Sequence, residues 1–286
     1  MIRALQLHWP EYLIEAWALG TFMISAAVVT SLLEYPGSPL HALIPNAAMR
    51  RALIGLAMGL TAIGLIYSPW GQRSGAHMNP AATLTFLSLG KLTRADAVFY
   101  VIAQFIGGLG GIIASKWILG AIIAHPSVGY VTTVPGPAGA WVAFLAEATI
   151  AGGMMLVVLT ATNIPGVARY TGLLVGGLVF LYITFEAPLS GMSINPARTV
   201  ASALPSGVWT SAWVYFTAPV LGMLLAAEVY GGITAKWPSA CPKLYHGSTQ
   251  RCIFCGYPGS ARGSDAPRRS DEAAPARVSP AATESL

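Results

Sequence analysis

Two ten-residue stretches concentrate the polar chemistry of this chain. They are Ser74-Gly75-Ala76-His77-Met78-Asn79-Pro80-Ala81-Ala82-Thr83 and Ser190-Gly191-Met192-Ser193-Ile194-Asn195-Pro196-Ala197-Arg198-Thr199. Both read S-G-x-x-x-N-P-A-x-T, and their asparagines lie 116 positions apart. Asn is a favoured helix N-cap, because its side-chain oxygen accepts a backbone N–H of the first turn. Pro suits the first helical position, where no N–H is needed. Each stretch therefore predicts a loop that ends by starting a helix. The apolar runs behind them, Ala81 to Leu89 and Thr199 to Leu204, are too short to cross a bilayer and predict half-helices.

A helix N-terminus carries partial positive charge and unpaired N–H groups. Two half-helices entering from opposite faces bring two such ends together near the membrane midplane. The amide NH2 groups of Asn79 and Asn195 then point at whatever passes between them. Irregular backbone at that depth is tolerated only where it is buried in protein or lines a wet cavity. Pro-interrupted segments at matching places in two halves also mark the transport site of an inverted repeat.

The elements that must hold these loops are legible in the hydropathy. Six stretches, roughly 12–33, 51–69, 97–119, 140–162, 171–187 and 211–231, are long and apolar enough to cross about 30 Å of hydrocarbon. The simplest parse is three spans plus a half-helix, repeated. That predicts an all-α membrane protein of six transmembrane helices and two re-entrant half-helices in an inverted repeat. The channel domain runs over 1–235, with repeat one at about 12–119 and repeat two at about 140–231. Gly55 to Gly59 in the second span mirrors Gly172 to Gly176 in the fifth, 24 and 23 residues ahead of the respective Asn. Small residues at that spacing let membrane helices approach closely.

Composition agrees. The chain is 55% hydrophobic and 9% charged, with mean hydropathy +0.61, where soluble domains carry about 25% charged residues. Sixteen charged residues serve the first 235 positions and eleven crowd into the last 51. The net charge of +5 thus fits loops and a tail on the cytoplasmic side rather than nucleic-acid binding. Arg3, Arg73, Lys91, Arg94, Arg169 and Lys236 fall inside if both termini are cytoplasmic, leaving Arg50, Arg51 and Lys116 outside. The apolar run from Tyr12 to Leu33 is too long for a signal-peptide core and reads as a retained first span. No nucleotide-binding motif and no nucleophile–base constellation is present, so the chain does not read as an enzyme and calls for no cofactor.

Over roughly positions 11 to 232 the chain resembles the aquaporin and glycerol-facilitator family, also called major intrinsic proteins. The resemblance is carried by Asn79-Pro80-Ala81, Asn195-Pro196-Ala197-Arg198, Glu15 in the first span and Glu147 in the fourth, and by Trp213-Val214-Tyr215 with Pro219. It implies a passive channel for water and other small uncharged solutes, set in the cell (cytoplasmic or inner) membrane and assembled as a homotetramer. It further implies a pore lined by backbone of Gly75, Ala76, His77, Gly191 and Ser193, with Glu15 and Glu147 anchoring the loops. By the same resemblance Arg198 belongs to the selectivity filter, with Ile183, Met192 and either Met58 or Gly59 completing it. Water-specific members carry His where Ile183 stands. The aromatic wedge of the glycerol facilitators is also missing, while Thr199 replaces the Asp usual in them. A glycerol- or ammonia-type facilitator is therefore the alternative.

A rival from another class is an ion-coupled transporter, which needs coupling carboxylates at midplane depth. Only Glu15 and Glu147 qualify. Glu186 is open between a vestibule carboxylate and a solvated loop charge. The tail, residues 236–286, is expected to be cytoplasmic, and its Ala, Pro, Ser, Arg and Asp mixture predicts disorder after about 259. It also contains Cys241, His246, Cys252 and Cys255, the chain's three cysteines among them. Four soft ligands within fifteen residues could form a tetrahedral zinc site. Their spacing matches no standard finger, and reduced cytosolic thiols are the simpler expectation.

Overall fold

The computed structural model describes residues 1–233, 241–246 and 252–257. The expected disorder after about 259 and the domain boundary at 235–236 lie outside the described residues. The chain opens with α1 (Ile2–Glu34), followed by α2 (Pro39–Leu43), α3 (Ala47–Tyr67), α4 (Pro69–Ser74), α5 (Pro80–Ser88) and α6 (Arg94–Leu119). The second half holds α7 (Ala140–Asn163), α8 (Thr171–Leu181), a π-turn at Tyr182–Glu186, α9 (Ala187–Ser190), α10 (Pro196–Ser206) and α11 (Ala212–Ile233). Six helices among the described residues are long and apolar enough to cross a membrane, the fifth being Ala168–Ser190 taken through its π-turn.

Helix α1 begins ten residues before the apolar run that announces it. The extension is held by polar side chains: His8 Nδ1 and Tyr12 OH each lie 2.7 Å from Asp96 Oδ1, and Arg73 Nε donates to Glu11 at 2.9 Å. The loop between α1 and α3 is not simply irregular. Ser38 caps α2 and Asn46 caps α3 through Met49 N.

The two halves pack by the same scheme. Helix α1 lies against α3 and α6, α7 lies against α8 and α11, and α3 meets α8 across the seam. The half-helices are exchanged between halves: α5 packs on α11 and α10 packs on α6. Glycines set the closest approaches. A Cβ at Gly59 would stand 2.5 Å from the Gly176 carbonyl oxygen, and one at Gly176 would stand 2.6 Å from that of Gly59. Gly20 and Gly107 play this part between α1 and α6, and Gly222 plays it against Ala148 of α7. Outward faces carry exposed Ile106, Trp117, Trp141, Leu145 and Leu225, the surface a lipid-facing helix presents.

Candidate functional site

Each re-entrant loop ends in the cap that its sequence dictates. Asn79 Oδ1 accepts Ala81 N at 2.9 Å, and Asn195 Oδ1 accepts Ala197 N at 3.0 Å and Arg198 N at 3.2 Å. Pro80 and Pro196 take the first helical positions. The amide nitrogens do not simply face the passage. Asn79 Nδ2 donates to Ile194 O and Asn195 Nδ2 donates to Met78 O, both at 2.7 Å. Each cap is thereby tied to the opposite loop, and one amide proton of each Asn remains for another acceptor.

The loops take a backbone that most residues avoid. Ala76 and Met78 have φ of 55° and 50°, and Met192 and Ile194 have 51° and 46°. Left-handed conformation costs a non-glycine residue about 1–2 kcal/mol. Two buried carboxylates hold it in place. Glu15 Oε1 accepts Ser74 Oγ at 2.7 Å and His77 N at 3.0 Å, while its Oε2 accepts Met78 N at 2.7 Å. Glu147 Oε1 accepts Ser190 Oγ at 2.8 Å and Ser193 N at 2.6 Å, while its Oε2 accepts Ile194 N at 2.6 Å. Hydrogen bonds to a charged group contribute about 1.5–3 kcal/mol each, so three per loop outweigh two strained residues. Both carboxylates are fully buried and neither lines the cavity between the loops.

Two tyrosines that the sequence does not single out as a pair complete the frame. Tyr100 OH of α6 donates to Ser74 O at 2.7 Å, and Tyr215 OH of α11 donates to Ser190 O at 2.5 Å. The halves diverge next to them. Gln104 Nε2 gives Glu15 Oε2 a further bond at 2.9 Å. The carboxylate of Glu147 instead lies within electrostatic reach of the Arg198 guanidinium.

Between the loops lies a cavity of about 360 Å³. Ala76, His77, Asn79, Gly191, Ser193 and Asn195 line it, as do Met58, Ile183, Met192 and Arg198. Of the two candidates on α3, Met58 is on the wall and Gly59 is turned to Gly176. Arg198 brings a buried Nη1 with no hydrogen-bond partner among the described residues. Ile183 sits on the π-turn, whose Thr184 carbonyl accepts Arg51 Nε at 2.8 Å. Arg51, expected only as an outer charge, thus joins the cavity wall. Pro80, Ala81, Pro196 and Ala197 lie behind the lining and form the first turns of the half-helices.

Gly75 departs from the expected lining. Its carbonyl accepts Leu244 N at 3.1 Å, and Lys243 covers its α-carbon. Glu186 is neither a solvated charge nor on the cavity wall: it is buried in the π-turn, and both oxygens lack a hydrogen-bond partner among the described residues. In the tail, the ligand atoms of Cys241, His246, Cys252 and Cys255 come within 4.8 Å of one another.

Comparison with known proteins accords with this arrangement. The family model described as Major intrinsic protein matches residues 6–230. Aquaporin NIP2-2 of Zea mays is 38% identical over 216 residues, covering 74% of this chain and 71% of the relative. Glycerol uptake facilitator protein-like 6 of Lactiplantibacillus plantarum is 33% identical over 220 residues, covering 76% of this chain and 94% of that one. The X-ray structure of the aquaglyceroporin from Plasmodium falciparum superposes with a TM-score of 0.67 at 21% identity, over 78% of this chain and 95% of its own.

Proposed function

We propose, for a chain that belongs to the major intrinsic protein family and is a passive channel for water and small uncharged solutes rather than an enzyme, a specific filter, orientation and assembly. The observation that carries the reading is the crossed pair of caps. Asn79 and Asn195 end two half-helices on one cavity, each holding the other loop by its amide. A solute there meets two positive helix ends and two amide donors, which oppose a cation and orient a neutral hydrogen-bond acceptor.

Met58, Ile183, Met192 and Arg198 form the filter. Arg198 supplies fixed donors and a positive charge, while the other three supply apolar walls that are flexible at the methionines. A polyol that sheds water there finds few replacement partners, and unpaired polar groups are costly to bury. Water passes best, ammonia and glycerol pass measurably, and larger sugar alcohols pass poorly. The facilitator reading keeps one specific support, the absence of histidine at Ile183. Both termini face the cytoplasm, as the Lys and Arg bias favours. The protein resides in the cell membrane as a homotetramer, its apolar outer faces meeting lipid and neighbouring copies.

Shrinkage of proteoliposomes in matched water, glycerol and ammonia gradients tests this reading. Flux is expected to be downhill, weakly saturable at most, and indifferent to an imposed proton or sodium gradient. Uphill accumulation driven by either gradient would sink it.

A further inference from the structure

Beyond α11, residues 241–246 and 252–257 fold back under the loop that carries Gly75, Ala76 and His77. Two clusters of contacts coincide there. The first is the tail's set of soft ligands: Cys241 Sγ lies 3.6 Å from Cys252 Sγ, His246 Nε2 lies 3.2 Å from Cys255 Sγ, and all four ligand atoms fit within 4.8 Å. Zinc bonds thiolate at about 2.3 Å and imidazole at about 2.0–2.1 Å, so a tetrahedral site separates its sulfurs by about 3.8 Å and sulfur from nitrogen by about 3.5 Å. Both close pairs fall within about 0.3 Å of those separations, and the four atoms together stay within 4.8 Å. Three thiols and one imidazole select zinc over magnesium or calcium, and four protein ligands make a closed, structural site.

The second cluster joins the same segments to the channel. Pro242 O accepts His77 Nε2 at 2.8 Å, Lys243 Nζ donates to Gln72 O at 2.9 Å, and Leu244 N donates to Gly75 O at 3.1 Å. Leu244 is 7% exposed and lines the same cavity as Asn79. Phe254 stacks parallel to the His77 ring with centroids 6.3 Å apart. Every one of these contact residues lies between two ligands: Pro242 to Leu244 between Cys241 and His246, and Phe254 between Cys252 and Cys255. The ligands therefore bracket the part of the tail that touches the pore.

We propose that Cys241, His246, Cys252 and Cys255 bind one zinc ion, and that the zinc-locked tail holds Leu244 across the end of the channel and restricts permeation. The metal site stands independently of the channel reading, and the restriction rests on it. A peptide of this length has little apolar surface to order itself, and metal ligation supplies the missing constraint. Zinc removal frees both contact segments together.

The test uses the full chain, purified under reducing conditions without a metal-binding tag. Elemental analysis should give close to one zinc per chain, and Cys252→Ser with Cys255→Ser should remove it. Cobalt(II) added to the chelated protein should develop the intense visible absorption of a tetrahedral thiolate site. Protein that retains no zinc and gives no such band, or that carries a Cys241–Cys252 disulfide instead, overturns the site. Water permeability is then compared among zinc-loaded, chelated and zinc-loaded Leu244→Gly proteoliposomes. The last two should conduct several-fold faster than the first. One zinc per chain with equal permeability in all three overturns the restriction. If none of the three conducts water or glycerol, the channel reading and the restriction fall together, while the zinc count still decides the site.

Discussion

Arg198 and Ile183 share one cavity and pull its chemistry in opposite directions. Arg198 has a buried Nη1 without a hydrogen-bond partner among the described residues, a donor left for something polar that enters. Arg198→Ala should remove that donor and the positive charge together. Sodium leak through vesicles should rise by an order of magnitude or more, and glycerol should gain on water. Ion leak and solute ratio equal to the parent protein would place Arg198 away from the constriction. Ile183 offers the solute no hydrogen bond. Ile183→His should narrow the cavity and add a polar contact, so the ratio of glycerol to water permeability should fall several-fold in one vesicle preparation. A ratio that holds or rises would remove Ile183 from the filter.

The re-entrant loops are elements that cannot stand alone, since each combines left-handed residues with a short helix. Their geometry is transmitted through one carboxylate apiece. Glu147→Gln keeps the shape of the side chain but presents an NH2 to one of the two backbone N–H groups, of Ser193 or of Ile194, which now hold Glu147 at 2.6 Å each. Loss of one charge-assisted bond, and of the charge on the other, should cost about 2–4 kcal/mol. The cost should fall on the loop rather than on the spans. Helix content by circular dichroism should stay near that of the parent, while water flux drops at least tenfold. Undiminished flux would show that the loop is held by other contacts.

At the scale of the molecule, two halves meet through glycine contacts, and the outer helices depend on them as much as the seam does. Along α6 this can be separated from helix propensity. A Cβ on Gly107 would run into the backbone of Ala16, whereas nothing lies within 4 Å of one on Gly110. Gly107→Leu should therefore prevent α1 from docking and destabilise the fold by more than about 3 kcal/mol, or abolish folding. Gly110→Leu should stay within about 1 kcal/mol of the parent, because leucine is the better helix former. Thermal unfolding of both variants in the same detergent decides it, and equal midpoints would refute the close-contact account. The aromatic and aliphatic side chains left on the outer surface fit a surrounding of lipid, since both are apolar.

Local chemistry was enough to read the six spans, the half-helices, the capping asparagines and the inverted repeat. Hydrophobic length and Asn-Pro at a helix start are properties of neighbouring residues, and the repeat follows from finding the same local pattern again 116 positions on. What neighbours cannot encode is which groups meet across the chain. The crossing of Asn79 to Ile194 O and of Asn195 to Met78 O joins residues more than a hundred positions apart. The pairing of Tyr100 with Ser74 and Tyr215 with Ser190 carried no signal in either residue's surroundings. That Met58 lines the cavity while Gly59 meets Gly176 turned on which side of α3 faces α8, a matter of packing rather than of spacing. Cys241, His246, Cys252 and Cys255 fit no familiar spacing, and they meet only in the folded tail, whose contacts reach a loop more than 160 residues earlier in the chain.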